Sequence, residues 1–268
     1  MLAVCVEIVA ILNLVFLVEY PLDRGIIIRE KANIINPTEA DRTVNIEEGE
    51  MDIEDSEEIK NVSFGKALCI PGVLTFAVSF FFIKFAYYGV YYWVPTYLQD
   101  ELGYSKEVAG NITSLGSVGG IIGSLLMCLL SDVLFVRSPV HIAGCMIGAL
   151  CLSLITSVSD DQHTTWLTFL LTSFSIFEQG ATCVISVILC DIGKDYVRKH
   201  QRKAIATISG ICDGIAGFGS ILGQILLGPV ERHWGWPMCF AMFSLAAISA
   251  CFPTLPFTYC EIRNYYRS

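Results

Sequence analysis

Residues 80–98 read FFFIKFAYYGVYYWVPTYL, and this stretch decides the class of fold. It is apolar and long enough to cross a bilayer as a helix, because about 20 residues at ~1.5 Å each span the hydrocarbon core. It nevertheless carries one cation, Lys84, near its middle. A charge at that depth costs about 3 kcal/mol or more, so it marks a functional position by default. The stretch therefore predicts a membrane-spanning helix with a functional cation.

Composition extends this prediction to most of the chain. Of the 268 residues 54% are apolar, and the mean hydropathy is +0.59, well above that of soluble domains. We predict an all-α membrane protein with seven apolar segments. These are Leu2–Val18, Leu68–Val94, Val108–Leu130, Pro139–Val158, Trp166–Cys190, Ala204–Gly228 and Pro237–Tyr259.

Charge is concentrated in one region. Between Tyr20 and Lys66 there are 12 acidic and 6 basic residues, which predicts a disordered linker. Placing this linker in the cytosol puts 14 of the 17 basic residues on the same side, as the positive-inside rule requires. The predicted domains are a transmembrane helix at 1–19, a cytosolic acidic linker at 20–66, a six-helix transmembrane bundle at 67–260 and a cytosolic tail at 261–268.

Several classes of function are disfavoured. The eleven cysteines lie mostly inside apolar runs, where they are interpreted as small packing residues. We find no nucleophile–base pair, metal-ligand set or cofactor loop, so we predict no enzyme activity, no cofactor and no metal site. The acidic pI of about 4.9 argues against nucleic acid as a partner.

Glycines recur at helical spacing in two segments. Gly116, Gly120 and Gly123 form one run, and Gly210, Gly214 and Gly217 form the other. Such faces predict close helix packing. The alternative is that they move against a second half of the protein, and both uses are compatible.

Longer motifs resemble one family. The second segment contains K-x-x-x-Y-x-x-x-x-W-x-P-x-Y-L, beginning at Lys84, and the third contains VGGIIG followed by SD. With FLVEYPLD, SFGKALCIPGV, CDIGKD and KAIATISGICDGIAGFGSILGQILLGPV, these resemble the sugar-phosphate exchangers among the eukaryotic solute carriers. Those proteins are relatives of bacterial glycerol-3-phosphate and hexose-phosphate antiporters.

The resemblance implies a fold and a function. The fold would be that of the major facilitator superfamily, and the chain would hold the last helix of the N-terminal half plus the C-terminal six-helix half. It would then be a partial transporter whose partner is the missing N-terminal six-helix half. The implied function is exchange of a phosphorylated sugar or related organophosphate for inorganic phosphate, in the endoplasmic reticulum or another endomembrane. The alternatives are a facilitator for another solute, such as an organic acid, and a truncated, non-transporting membrane protein.

The candidate substrate-binding residues lie within residues 80–98. Lys84 matches the lysine of the family's seventh helix, and a fixed cation suits a phosphate in a low-dielectric cavity. Tyr88 and Tyr91 lie four and seven residues further on, so they share its face and offer hydroxyls. The alternative for Lys84 is a structural ion pair with Asp213 or Glu178.

Candidate gating or structural residues are Asp132, Arg137 and Asp213. Asp132 and Arg137 lie in a turn that resembles the cytosolic loop motif of major facilitators, where an acid and a base hold the cytosolic side closed. The turn lacks the motif's second glycine and its basic cluster, and the alternative is a solvated loop. Asp213 matches an acidic position of the family, and structural pairing is favoured for it. Glu178 has no counterpart in the family, and its role stays open.

Overall fold

The computed structural model describes residues 62–155, 164–200 and 204–265, with side chains described through Arg263. The elements of these ranges are helices, which we number in chain order. They are α1 (Phe64–Leu68), α2 (Val73–Asp100), α3 (Lys106–Val133), α4 (Ser138–Ile155), α5 (Thr164–His200) and α6 (Ile205–Tyr265). The predicted first helix and most of the predicted acidic linker lie outside the described residues, so the domain boundaries stay predictions.

Helix α6 is two helices joined without a loop. All the helices except α1 are long and apolar enough to cross a membrane. The 61 residues of α6 would measure about 90 Å as one straight helix, three times the hydrocarbon core. Its helical path breaks at Gly235, where φ is 75° and ψ is 177°. Glycine adopts such a positive φ without a steric penalty.

The first arm of α6, residues 205–234, runs parallel to α2. Gly219 packs against the backbone of Phe81, and Gly223 packs against the backbone of Phe85. Both residue numbers rise together along this contact, so the two helices point the same way.

The second arm, residues 236–265, runs antiparallel to α2. The ring of Phe243 lies 5.8 Å from that of Phe85, and the ring of Phe257 lies 5.2 Å from that of Phe76. Along this contact the residue numbers of the second arm rise as those of α2 fall, so the chain reverses its direction at Gly235. The six predicted segments from Leu68 onward therefore correspond to six helical crossings.

Helices α3 and α5 pack with their backbones in contact. A Cβ at Gly123 would overlap the carbonyl oxygen of Ile176. The run Gly210, Gly214 and Gly217 behaves differently, because a Cβ there would meet nothing within 4 Å. The described bundle does not use these three glycines for packing, and their contact with a second half stays a prediction.

The outer surface of the bundle is apolar. Leu115, Leu125 and Leu129 on α3 are each more than half exposed, although they belong to a well-formed helix. Such a surface is stable beside lipid or another apolar protein surface. Together with the spanning helices, it defines a multi-pass membrane protein.

One end of the bundle is rich in cations and is called the basic end below. It holds α1, the turn between α3 and α4, and the last turns of α5, which contribute Lys66, Arg137 and Lys199. The sequence predicts that this end faces the cytosol. The opposite end holds the turn between α2 and α3 and the reversal at Gly235.

Candidate functional site

Lys84 forms an ion pair across two helices. Its Nζ donates to Oδ1 of Asp213 at 2.6 Å, which joins α2 to the first arm of α6. The Lys84 side chain is 17% exposed and that of Asp213 is 64% exposed, so the pair lies at an open face of the bundle. The ammonium also lies 4.6 Å from the centre of the Phe80 ring, an additional cation–π contact. Of the two acids considered from sequence, the structure pairs Lys84 with Asp213 and not with Glu178.

A cavity of about 580 Å³, called the tyrosine cavity, begins one helical turn after Lys84 along α2. Helix α2 supplies Tyr87, Tyr88, Tyr91 and Tyr92 at successive helical offsets, so their rings follow one side of the helix. Tyr88 and Tyr92 stack with ring centres 5.9 Å apart, and so do Tyr87 and Tyr91. The cavity therefore has an aromatic wall whose edge carries hydroxyl groups.

The facing walls of the tyrosine cavity come from α3 and α5. Ser117 and Ser124 line it from α3, and Gln179 lines it from α5. Gly120 also lines it, and a Cβ there would make an ordinary van der Waals contact with the Tyr87 hydroxyl at 3.6 Å. In the described part of the chain the cavity lining is uncharged and rich in hydroxyl and amide groups. Such a lining suits a polyhydroxylated ligand.

The structure brings the predicted substrate residues together in part. Tyr88 and Tyr91 line the same cavity. Lys84 lies one helical turn before Tyr88 but is turned toward α6, and it does not belong to the cavity lining. Sequence reasoning missed Ser117 and Ser124, because single serines in apolar helices carry no distinctive pattern.

Glu178 on α5 faces Gly148 of α4, whereas its neighbour Gln179 lines the tyrosine cavity. Glu178 is fully buried, and neither carboxyl oxygen has a hydrogen-bond partner among the described residues. Its Oε2 fills the space beside Gly148, where a Cβ would lie 2.6 Å away. Glu178 therefore lies inside the bundle core and apart from the tyrosine cavity.

His141 is a second buried polar residue that sequence reasoning did not single out. Ser79 on α2 donates to the carbonyl oxygen of Ala250 at 2.7 Å. Its hydroxyl oxygen lies 3.1 Å from Nε2 of His141, whose Nδ1 lies 3.3 Å from the carbonyl oxygen of Ala181. This chain of hydrogen bonds ties α2, α4 and the second arm of α6 together, which is a structural role.

Four residues at the basic end form the Arg137 network. The guanidinium Nη2 lies 3.3 Å from Oδ1 of Asp132, and Nε lies 3.0 Å from Oδ2 of Asp191. The carboxylate of Glu261 accepts hydrogen bonds from the backbone N–H groups of Arg137 at 2.5 Å and Ser138 at 2.9 Å. Glu261 thus satisfies unpaired donors at the start of α4, where the helix dipole also favours a negative charge.

The Arg137 network contains both members of the predicted acid–base pair. It also contains Asp191 from α5 and Glu261 from the second arm of α6, which sequence reasoning missed. These two lie 54 and 124 residues after Arg137 in the chain. The turn between α3 and α4 is therefore held against two other helices at the basic end.

These features define a class of protein. A bundle of spanning helices with a polar cavity facing an open side, and with an ion pair at the depth of the hydrocarbon core, is typical of a membrane transporter. Sequence comparison agrees, because the family described as Major Facilitator Superfamily matches residues 1–217. The chain belongs to the major facilitator superfamily.

Curated relatives are sugar phosphate exchangers by name. Sugar phosphate exchanger 3 of Homo sapiens is 30% identical over 188 residues, covering 70% of this chain and 38% of that protein. Sugar phosphate exchanger 3 of Gallus gallus is 28% identical over 239 residues, covering 88% of this chain and 47% of that protein. Glucose-6-phosphate exchanger SLC37A2 of Danio rerio is 28% identical over 204 residues, covering 76% and 41%. The chain thus spans less than half the length of these relatives.

Proposed function

We propose that the transporter to which this chain contributes exchanges a sugar phosphate, or a related organophosphate, for inorganic phosphate. The observation that carries the proposal is the juxtaposition of the tyrosine cavity with Lys84. The cavity offers an aromatic wall and neutral hydrogen-bonding groups, and Lys84 offers a cation one helical turn away. A ligand with a polyhydroxylated part and an anionic part matches this division.

Each part of the ligand has its own contacts in this proposal. The hydroxyls of Tyr88 and Tyr91, together with Gln179, hydrogen-bond the sugar, while the phosphate binds Lys84. Asp213 neutralises Lys84 when no substrate is present, which reduces the cost of holding the cation within the bilayer. Phosphate then binds by displacing the Asp213 carboxylate, and a dianion with three acceptor oxygens is well suited to do so.

The bundle supplies one wall of this site. A second six-helix half supplies the facing wall, and alternating access is the movement of one half against the other. The Arg137 network takes part as the contact that stabilises one of the two states at the basic end. We place the transporter in the endoplasmic reticulum or another endomembrane on the basis of the motif resemblance.

Counterflow in proteoliposomes tests the proposal. Vesicles containing the full-length protein are preloaded with inorganic phosphate and then supplied with labelled glucose 6-phosphate. We expect uptake that requires internal phosphate and that is lost in Lys84→Ala. Lys106→Ala is the matched control, because Lys106 is exposed at the opposite end. Uptake that is indifferent to internal phosphate would refute the exchanger, and uptake of an organic acid instead would support the alternative facilitator.

A further inference from the structure

A second cavity lies at the basic end of the bundle, and it shares no lining residue with the tyrosine cavity. It measures about 590 Å³ and is called the basic-end cavity. Lys66 and Lys199 line it from α1 and α5, and Ile70, Pro71 and Ile192 form its apolar part. This volume falls within the ~300–1,000 Å³ that is common for small-molecule sites. The cavity therefore combines cations with an apolar surface.

Cations outnumber carboxylates around the basic-end cavity. Asp195 is the one carboxylate in the described lining, against Lys66 and Lys199, and its carboxylate lies 3.6 Å from Nζ of Lys199. Lys66 has no carboxylate partner among the described residues. Exposed ion pairs are weak, so Lys199 can exchange Asp195 for an anion that binds it more strongly. The result is a site with a surplus of positive charge.

The helix dipole explains only part of this arrangement. Arg198 and Lys199 occupy the last turn of α5, where cations offset the negative end of the dipole. Lys66 belongs to a different helix, and nothing about α5 requires it to face the same cavity. His200 also lines the cavity, and its ring stacks on that of Tyr196 with centres 4.2 Å apart. Two separate elements thus converge on one anion-binding surface.

The surroundings of the cavity favour a lipid as the source of the anion. Phe64 and Leu68, on the same short helix as Lys66, are 71% and 37% exposed, so apolar side chains flank the cations. The excess of Lys and Arg at this end predicts that it faces the cytosolic leaflet, which carries anionic lipids. A soluble anion would gain nothing from the exposed apolar groups.

We propose that the basic-end cavity binds the phosphorylated headgroup of an anionic phospholipid, with Lys66 and Lys199 as its phosphate ligands. The acyl chains lie against Phe64 and Leu68. The lipid bridges α1 to the end of α5 and so stabilises the basic end of the bundle. This site is separate from the exchange reaction and does not depend on Lys84.

Thermal unfolding of the detergent-purified full-length protein tests the proposal. The probes are dioctanoyl phosphatidylinositol 4-phosphate, dioctanoyl phosphatidylcholine and inorganic phosphate, each titrated separately. Inorganic phosphate is also a proposed substrate, so any effect it has should not depend on the lysines of the basic-end cavity. The phosphoinositide, in contrast to phosphatidylcholine, should raise the unfolding temperature through that cavity. The double variant Lys66→Gln and Lys199→Gln should weaken this effect at least tenfold in apparent affinity. Lys106→Gln, at the opposite end of the bundle, should respond like the wild type.

Three outcomes would overturn the proposal. Equal stabilisation by phosphatidylcholine would show that the phosphate monoester is not recognised. Stabilisation by inorganic phosphate that is lost in the double variant would assign the cavity to a soluble anion. An unchanged response of the double variant would remove Lys66 and Lys199 from the site. Native mass spectrometry of the retained lipid gives the same comparison if the double variant unfolds too early.

Discussion

The ammonium of Lys84 lies 2.6 Å from the carboxylate of Asp213, although 129 residues separate them in the chain. The pair joins α2 to the first arm of α6 at the open face of the bundle. Within hydrocarbon each charge alone would be costly, and the two together are much less so. The same contact gives Lys84 two competing partners, the carboxylate and an incoming phosphate.

Exchanging the two charges of this pair separates its structural role from the binding of phosphate by Lys84. The variant Lys84→Asp with Asp213→Lys retains an ion pair, so we expect it to fold and to insert normally. It should nevertheless lose phosphate exchange by at least tenfold, because the cation now lies on α6 instead of α2. Fluorescence-detected size exclusion reports folding, and counterflow reports exchange. Normal exchange in the swapped variant would show that only the pairing matters.

Removal of single hydroxyl groups tests the tyrosine cavity. We expect Tyr88→Phe and Tyr91→Phe each to raise KM for the sugar phosphate about three- to tenfold, since a hydrogen bond contributes roughly 0.5–1.5 kcal/mol. Tyr97→Phe is the matched control, because Tyr97 packs on Trp236 and Phe240 outside the cavity. Identical KM values for all three variants would exclude the hydroxyls from binding.

Because the backbones of α3 and α5 are in contact, one added methyl group at this contact should lower the stability of the protein. Gly123→Ala places a Cβ on the carbonyl oxygen of Ile176, so the helices must move apart. Overpacking of this kind costs about 1–3 kcal/mol. Gly110→Ala, on the same helix, meets nothing within 4 Å and should leave stability unchanged or slightly higher. The two unfolding temperatures, measured in the same detergent, check this difference.

The buried carboxyl group of Glu178 is expected to tolerate replacement by a neutral amide of the same shape. Both of its oxygens lack a hydrogen-bond partner among the described residues, so the carboxyl group contributes no visible pairing. We expect Glu178→Gln, which keeps the shape, to retain exchange and to unfold at the same or a higher temperature. Glu178→Ala should be less stable, because it leaves a cavity beside Gly148. Loss of exchange in a stable Glu178→Gln protein would contradict a purely structural role.

The Arg137 network predicts that one carboxylate at the basic end matters much more than another. Glu261→Gln removes a charged acceptor from two backbone N–H groups, at a cost of about 1.5–3 kcal/mol. Asp195→Asn removes only exposed ion pairs and should change stability by less than about 1 kcal/mol. Comparable destabilisation of both variants would mean that Glu261 is not a helix cap.

Hydropathy predicted the helical crossings but not how they are joined. The segments Ala204–Gly228 and Pro237–Tyr259 were predicted as separate helices, and the structure joins them through Gly235. Local sequence marks both Pro237 and Gly235 as breaks, but it does not show that a single residue suffices for the reversal. That depends on how closely both arms pack on α2, which is a tertiary property.

The candidate site was predictable where residues share a helix. Tyr88 and Tyr91 follow Lys84 at helical offsets, so their common side of α2 follows from periodicity. Asp213 was one of two acids considered for Lys84, and structural pairing was favoured for it on the family resemblance, whereas helical periodicity alone does not choose between the two. Glu261 depends on the packing of two distant helices, so no local pattern indicates it.

The reversal at Gly235 also bears on how the protein is made. Two arms that share one non-helical residue have no intervening loop that could reside at the membrane surface while the second arm is being synthesised. We therefore expect the translocon to release residues 205–265 into lipid as a helical hairpin, in one step. Crosslinking of stalled nascent chains to the translocon checks this, and release of the first arm alone would contradict it.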